Sequence, residues 1–457
     1  MKKITKRIAA AITLSVTCTG MLAGCGSQKT GADTVTTITV WTNSTHTKDI
    51  MQELVSDYND TTGKEKGIRI DYVVQGSDYQ KVIDVAVQTK ELPDLYYPIT
   101  RMADLVKQGA VTAIDDMPSG EEFIESYSGT PLNNVNIFNG KTYTVPYNVT
   151  TIALLYNKDM FKANGIVDEN GEAKAPSTWQ EVAEDAKILT NPQAKEYGIA
   201  LPLKWSGYFD WDLMRPFFSS TGSLGYDSEN NRYAYTKLTP AFEFLKQIKE
   251  DGSYYIGAEG LDNDPARAQF AEGNIGMKLG ASWDVGVLND QFTAKIDWGV
   301  APVPTIDGAP KYKQWMSTDV FLAIAGDIPD DKKEKVMEVY KWFHDESVIA
   351  KLYQSGKIIP VDENIIEKTM LDNPSKGWKE FCSLVKRSVA IPPMPPISIE
   401  GDNYVKVGMS IWLGDVEPQA AMEYLEKRAN DALQKEVDKG NIDFDAYKWN
   451  GIDISAE

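Results

Sequence analysis

"TTITVWTNSTHTKDIMQELVSDYNDTTGKEKGIRIDYVVQ", residues Thr36–Gln75, is the stretch from which the fold is read. "TTITVW" alternates and is rich in β-branched residues, so it predicts a strand ending at Trp41. Ile50, Met51, Leu54, Val55 and Tyr58 then recur at helical spacing, and "GIRIDYVVQ" predicts a second strand. Beyond it, Tyr79, Val82, Ile83, Ala86 and Val87 mark a second amphipathic helix, and "PDLYYP", Pro93–Pro98, a third short strand. Strand, helix, strand, helix implies an α/β sheet. Later helices carry start and stop signals. Thr178 with Glu181 forms a capping-box pattern, Thr239-Pro240 opens a helix closed by Gly252, and Pro418 opens the last long one, closed by Gly440. "IPPMPPIS", Ile391–Ser398, reads as a stiff extended connector. No internal repeat of 20 to 50 residues is visible.

The N-terminus points outside the cytoplasm. Lys2, Lys3, Lys6 and Arg7 precede an apolar and small-residue run, Ile8–Gly24, that is short for a membrane span and carries no stop-transfer pattern. Residues 1–24 are therefore expected to be a secretory leader. "LAGC" resembles the lipobox of bacterial lipoproteins, whose cysteine is lipidated and becomes the first residue, which makes Cys25 the expected anchor and 25–37 a polar tether. Loss of the first 24 of 457 residues leaves 433, and loss of four positive charges takes the formal charge from −19 to −23. So acidic a chain is repelled by phosphates, which argues against nucleic acid as a partner. Of three cysteines only Cys382 then remains as a free thiol, in a "WKEFCSLVK" helix pattern that reads as core, so stability must come from burial in what length suggests are two domains.

Several chemistries are missing. His46 and His344 are the two histidines, and they stand far apart in sequence. There is no HExxH, no cysteine pair at zinc spacing and no G-x-S-x-G, and "GNIGMKLG" lacks the GK[ST] ending of a P-loop. No metal, no cofactor and no nucleophile–histidine catalysis is expected. Paired carboxylates for glycoside cleavage stay open, because spacing in sequence does not give separation in space.

Aromatic residues stand out at predicted strand ends and in loops: Trp41, Tyr97, Tyr147, Trp205, Tyr208, Trp211, Trp283 and Trp315. Hydrogen-bonding neighbours accompany them, among them Asn43, Arg101, Asn148, Thr150 and Asp284. A pyranose has a C–H face that lies well on an indole or phenol and a rim of hydroxyls that needs donors and acceptors. Any one of these rings could equally be core. It is their number and their polar companions that suggest a sugar cleft.

Several segments, in order, resemble a known family: "QTKELPDLYY", "LVKQGAVTAID", "NGKTYTVPYNVTTIALLYNKDMFKANGI", "APSTWQEVAEDAKIL", "QFAEGNIGMKLGASWD", "WGVAPVPTIDG" and "EKVMEVYKWFHDE". From about Ile38 to Val437 the chain is similar to the family 1 extracellular solute-binding proteins of ABC importers, which include the maltose-binding receptors. The resemblance implies a two-lobed periplasmic-binding-protein-like α/β fold with a ligand cleft between the lobes and a hinge. One lobe would comprise residues 38–149 and 317–355, the other 150–316 and 356–457. Trp283 falls where the family places a sugar-stacking tryptophan, although Ala281-Ser282 replaces a small-Pro pair. Tyr97 and Arg101 fall near a sugar-contacting aromatic and arginine, Tyr208 and Trp211 match stacking aromatics of the second lobe, and Tyr404 lies where the alignment is loose. Thr150 stands where the maltose receptor has an acid, which argues against maltose itself.

The resemblance further implies a monomeric, non-catalytic receptor held on the outer face of the cell membrane by its lipid, as suits a Gram-positive cell. It would capture an oligosaccharide or other small solute and deliver it to ABC permease subunits. The rival reading is a surface glycoside hydrolase with paired carboxylates in the same aromatic cleft. Arg101, Lys204, Arg215 and Lys313 could serve an acidic sugar, and non-sugar solutes stay open because fold alone does not specify ligand.

Overall fold

The strand predicted from Thr36 is an inner strand of a five-stranded sheet. Thr36–Thr42 pairs in parallel with Ile68–Val74 on one side and with Leu95–Tyr96 on the other, in a register that sets Trp41 beside Val73 and Tyr96. Ala323–Ala325 then inserts antiparallel between Leu95–Tyr96 and Val111–Thr112, so a distant part of the chain completes the sheet. The computed structural model describes residues 35–456 apart from 77, 99–101, 130, 206, 319–320 and 373. The leader, Cys25, most of the tether and Arg101 therefore lie outside the described residues.

Parallel neighbours require crossover connections, and the two predicted helices supply them as Lys48–Asp60 and Tyr79–Thr89. Met51, Leu54, Val55 and Tyr58 of the first, and Tyr79, Ile83 and Ala86 of the second, are buried against the sheet with Ile38, Val40 and Ile70. Two later helices, Lys333–Phe343 and Glu346–Gln354, add Val336, Val339, Tyr340 and Leu352 to this first core.

The second sheet is organised by one strand, Asn148–Asn157, all ten residues of which are buried. Ile359–Pro360 and Gln314–Ser317 cover its first four residues, while Ile275–Ala281 and Trp298–Ala301 run antiparallel to the rest. Neighbours on both edges and packed faces explain why "NVTTIALLYN" shows no alternation. Tyr197–Ile199 and Ser388–Val389 close the sheet. Helices pack on it: Trp179–Ile188 carries the predicted capping box, Thr178 Oγ1 accepting from Glu181 N at 3.1 Å, a cap that contributes about 1 kcal/mol. Thr239–Asp251 ends at Gly252 (φ 65°), and Pro418–Asp438 follows the predicted start. Cys382 is buried in the helix Trp378–Val385, and burial pushes its thiol up to about 11.

Among the described residues Tyr147 packs in the first core and Ile152 in the second, Trp315 in the second and Phe321 in the first, while Leu352, Ile358 and Ile365 stay with the first core and Tyr353 and Ile359 join a further cluster with Val149, Leu155 and Trp298 on the other face of the long strand. The proline stretch after Ile391 has no helix or strand and runs along the boundary between the cores.

Candidate functional site

A cavity of about 370 Å³ lies between the two cores, within the size range of small-molecule sites. Met102, Val135 and Phe321 reach it from the first core, and Met214, Tyr235 and Trp315 from the second. Among the described residues lining it, the charged ones are Arg215 and Asp210. They compensate each other: Arg215 Nη2 donates to Asp210 Oδ2 at 2.7 Å.

Arg215 begins the helix Arg215–Thr221, whose Pro216 is well placed in a first turn because it needs no N–H partner there. The guanidinium lies 3.9 Å from the centroid of the Trp315 ring and 4.5 Å from that of Trp211. Trp211 in turn meets Trp315 edge-on at 5.3 Å and Trp283 at 5.0 Å. Three tryptophans from distant parts of the chain thus form one cluster, two of them facing a cation, an arrangement stabilised by the ring quadrupoles. Trp283 is the outermost, 39% exposed, whereas Trp315 is buried. Tyr404 lines the cavity from the start of its helix, and burial followed by the nearby Asp210 charge raises its phenol.

Under this cluster lies a buried charge network. Lys278, 1% exposed, has Asp212 Oδ2 at 3.7 Å and Asp284 Oδ2 at 3.9 Å, and Arg267 Nε donates to Asp284 Oδ1 at 2.5 Å. Asp284 also accepts from Ala281 N at 2.9 Å, and a Cβ on Gly280 would sit 2.5 Å from its Oδ2, so only glycine admits the carboxylate. The sequence places Asp284 among ligand-binding groups; in the structure its oxygens serve the network, next to the Trp283 backbone. Burial pushes Asp212 up to about 6, against the pull of Lys278.

The first-core candidates form a second group, at the carboxyl ends of parallel strands where α/β sheets present their ligand sites. Tyr79 Oη donates toward the carbonyls of Trp41 and Tyr97, each at 3.0 Å, and ties the two strand ends together. The Tyr97 and Tyr147 hydroxyls hydrogen-bond to each other. Trp41 and Tyr97 are half-buried and Asn43 is exposed. Behind Tyr147, His344 sits in a cage of Tyr147, Tyr127, Tyr340 and Phe123 rings, its Nδ1 2.7 Å from the Tyr340 carbonyl, and burial lowers its pKa to about 4.

The remaining candidates are spread more widely. Asn148 and Thr150 are buried in the long strand, opposite Pro360 and Ser317. Tyr208 is 2% exposed and packs edge-on against Phe209. Trp205 is half-buried over Gly207, where a Cβ would fall 2.5 Å from its ring. Of the sequence candidates, Arg215, Trp315 and Tyr404 line the cavity itself. Sequence reading passed over Tyr226, Tyr235, Trp449 and the cavity side of Ile391–Met394. The alternating tyrosines of "YDSENNRYAY" and the run of prolines were the available signals; nothing local marks Trp449.

No helix among the described residues is long and apolar enough to cross a membrane, and no group of three or more His, Cys, Asp or Glu among them could hold a metal ion.

Comparison with known proteins places this geometry. The model of the bacterial extracellular solute-binding protein family matches residues 43–348. The sn-glycerol-3-phosphate-binding periplasmic protein UgpB of Agrobacterium fabrum is 23% identical over 397 residues, covering 81% of this chain and 82% of the relative. Among solved structures, the maltose/maltodextrin-binding domain MalE of Bdellovibrio bacteriovorus, bound to maltotriose, superposes with a TM-score of 0.66 at 17% identity, covering 88% of this chain and all of the other. The GacH receptor of Streptomyces glaucescens gives 0.67 at 18%, covering 87% of this chain and 98% of its own. These likenesses establish a two-lobed α/β fold, and with the family match over most of its length the chain belongs to the bacterial extracellular solute-binding proteins.

Proposed function

We propose that this protein is a lipid-anchored receptor of an ABC importer that captures an uncharged oligosaccharide between its lobes and passes it to the permease. The observation that carries the reading is the cavity between the two cores: aromatic walls, and one cation neutralised in place by its own carboxylate. Arg215, the cation described on the walls, is paired with Asp210, and Arg101, next in sequence to cavity-lining Met102, is a further cation of the proposed contact set, so the solute named for UgpB is tested beside sugars. A pyranose supplies both the apolar face that rings favour and the hydroxyls that Tyr, Ser, Thr and Asn side chains can partner. The lobes would be residues 38–149 with 317–355, and 150–316 with 356–457, a division supported by the sheet each strand joins. Closure around the solute would desolvate it from both sides. The ligand-contacting set would include Trp41, Tyr97, Arg101, Trp211, Trp283, Trp315 and Tyr404.

The test is thermal unfolding of a soluble chain starting at Ser27 against mono- and oligosaccharides, with sn-glycerol 3-phosphate alongside. A ligand at 100 times its Kd adds about 2.7 kcal/mol. A rise with a glycan that is recovered intact is the expected result. Stabilisation by the phosphate ester alone overturns the sugar assignment, and cleavage of the glycan overturns the receptor. Retention at the cell membrane, lost in Cys25→Ala, tests the anchor.

A further inference from the structure

We propose that the segment following the last long helix, residues 441–456, is a wall of the solute cleft and a latch between the lobes, and that Trp449 on it contacts the ligand. The proposal rests on the cavity being the solute site.

After Pro418–Asp438 the chain reverses at Gly440, whose φ of 73° is the left-handed conformation glycine adopts freely. It then lies back over the second core. Asp443 caps a short turn, Phe444–Tyr447, by accepting from Asp445 N at 3.1 Å. Farther on the segment is stitched down by backbone bonds, Lys313 N to Ile454 O at 2.8 Å and Ala456 N to Lys311 O at 3.2 Å. Phe444, Tyr447, Ile452 and Ile454 pack on the second core, and the Trp449 ring lies 6.2 Å from that of Phe218. These residues therefore belong to the second lobe.

Two features turn this strap into part of the site. Trp449 lines the cavity, and across the boundary Asn134 Nδ2 donates to the Ala446 carbonyl at 2.7 Å. Asn134 is held for that bond in the left-handed conformation (φ 59°), with its own N–H on the Ile137 carbonyl at 3.0 Å, and its neighbour Val135 packs on the first core. A hydrogen bond from first lobe to strap exists only while the two are close, so it favours the closed state.

The polar inventory of the cavity points the same way. Trp449 Nε1, Tyr226 Oη and Arg215 Nε are buried with no hydrogen-bond partner among the described residues, and all three residues line this cavity. Buried donors are nearly always matched, and hydroxyl or ring oxygens of a sugar are the acceptors these would take once the lobes adjust around it. The geometry makes Trp449 a specificity-determining residue for a hydroxyl-rich ring.

The experiment compares the chain starting at Ser27 with Asn134→Ala, Trp449→Phe and a chain stopped after Gly440. Interlobe distances are read without ligand by paired spin labels. Binding is read calorimetrically with maltotriose, acarbose and D-tagatose, and with any further glycan that stabilises the parent. Asn134→Ala and the shortened chain are expected to shift the distances toward open, and Trp449→Phe to weaken glycan binding at least tenfold at an unchanged Tm. Unchanged distances in Asn134→Ala overturn the latch, and unchanged affinity in Trp449→Phe overturns the contact. If no glycan binds the parent, the sugar reading falls and the ligand contact with it, while the distance comparison still decides the latch. The two point variants keep the test decisive should the shortened chain fail to fold.

Discussion

The Arg215 guanidinium stacks on Trp315 at 3.9 Å while it donates to Asp210 at 2.7 Å, so one side chain fixes both an aromatic wall and the charge balance of the cavity. Lysine would keep the charge and lose the planar stacking and the fork of donors. Arg215→Lys is therefore expected to weaken glycan binding at least tenfold, about 1.4 kcal/mol. Calorimetric titration beside the parent checks it, and equal affinity would count against the stacked arginine as a binding element.

Trp283 and Trp412 should separate binding from folding. Trp283 is 39% exposed and touches Trp211 at its edge, so Trp283→Ala should change stability by about 1 kcal/mol or less while glycan binding collapses. Trp412 is fully buried, with its Nε1 donating to Glu259 at 2.6 Å, and Trp412→Ala should cost about 3–5 kcal/mol. Chemical denaturation of both variants, with glycan titration of Trp283→Ala, is the measurement; equal stability losses would refute the division.

The network beneath the tryptophans should respond as a buried ion cluster does. Asp284→Asn leaves Arg267 and Lys278 with one carboxylate fewer at hand, and the expected loss is about 3–5 kcal/mol. Denaturation midpoints decide it, and a loss below about 1 kcal/mol would mean that water or Asp212 takes over the charge.

His344 sets a pH dependence whose sign follows from its cage. Its pKa falls from 6.5 to about 4, so the unfolded chain binds a proton between those values that the native chain refuses. Its contribution is complete above pH 6.5 and is lost as pH falls toward 4, up to about 3 kcal/mol. Asp212, raised from 3.8 to about 6, acts oppositely over nearly the same window, because there the native chain holds the extra proton. The parent should therefore lose more stability than His344→Gln between pH 6.5 and 4, by urea unfolding at each pH, and parallel curves would reject the assignment.

The parts legible from local pattern were those whose burial is periodic. Met51, Leu54, Val55 and Tyr58 repeat at helical spacing because one helix face meets one sheet, and they fall on Lys48–Asp60. Thr178 and Glu181 announced a capping box because its partners are three residues apart. The cluster of Trp211, Trp283 and Trp315 was foreseen only as separate aromatics. Their meeting depends on Trp211, in the π-helical segment Tyr208–Met214, being brought to the ends of strands Ile275–Ala281 and Gln314–Ser317, which no local pattern encodes. Ile391–Met394 read as a connector for the same reason: extended proline backbone is alike whether it faces solvent or a cavity.

By itself the sequence determined the alternation of strands and helices, the absence of nucleophile–histidine and P-loop motifs, and the aromatic wealth that a sugar cleft requires. These are properties of composition and short-range order. Only the tertiary structure decided which rings face the cavity and which fill the core, because burial of an indole or phenol is favourable in either place. It alone tied Asp284 into a buried ion network, neutralised Arg215 with Asp210, and brought Trp449 and Asn134 to one opening. Those relations join residues far apart in the chain, and packing of the two cores against each other is what selects them.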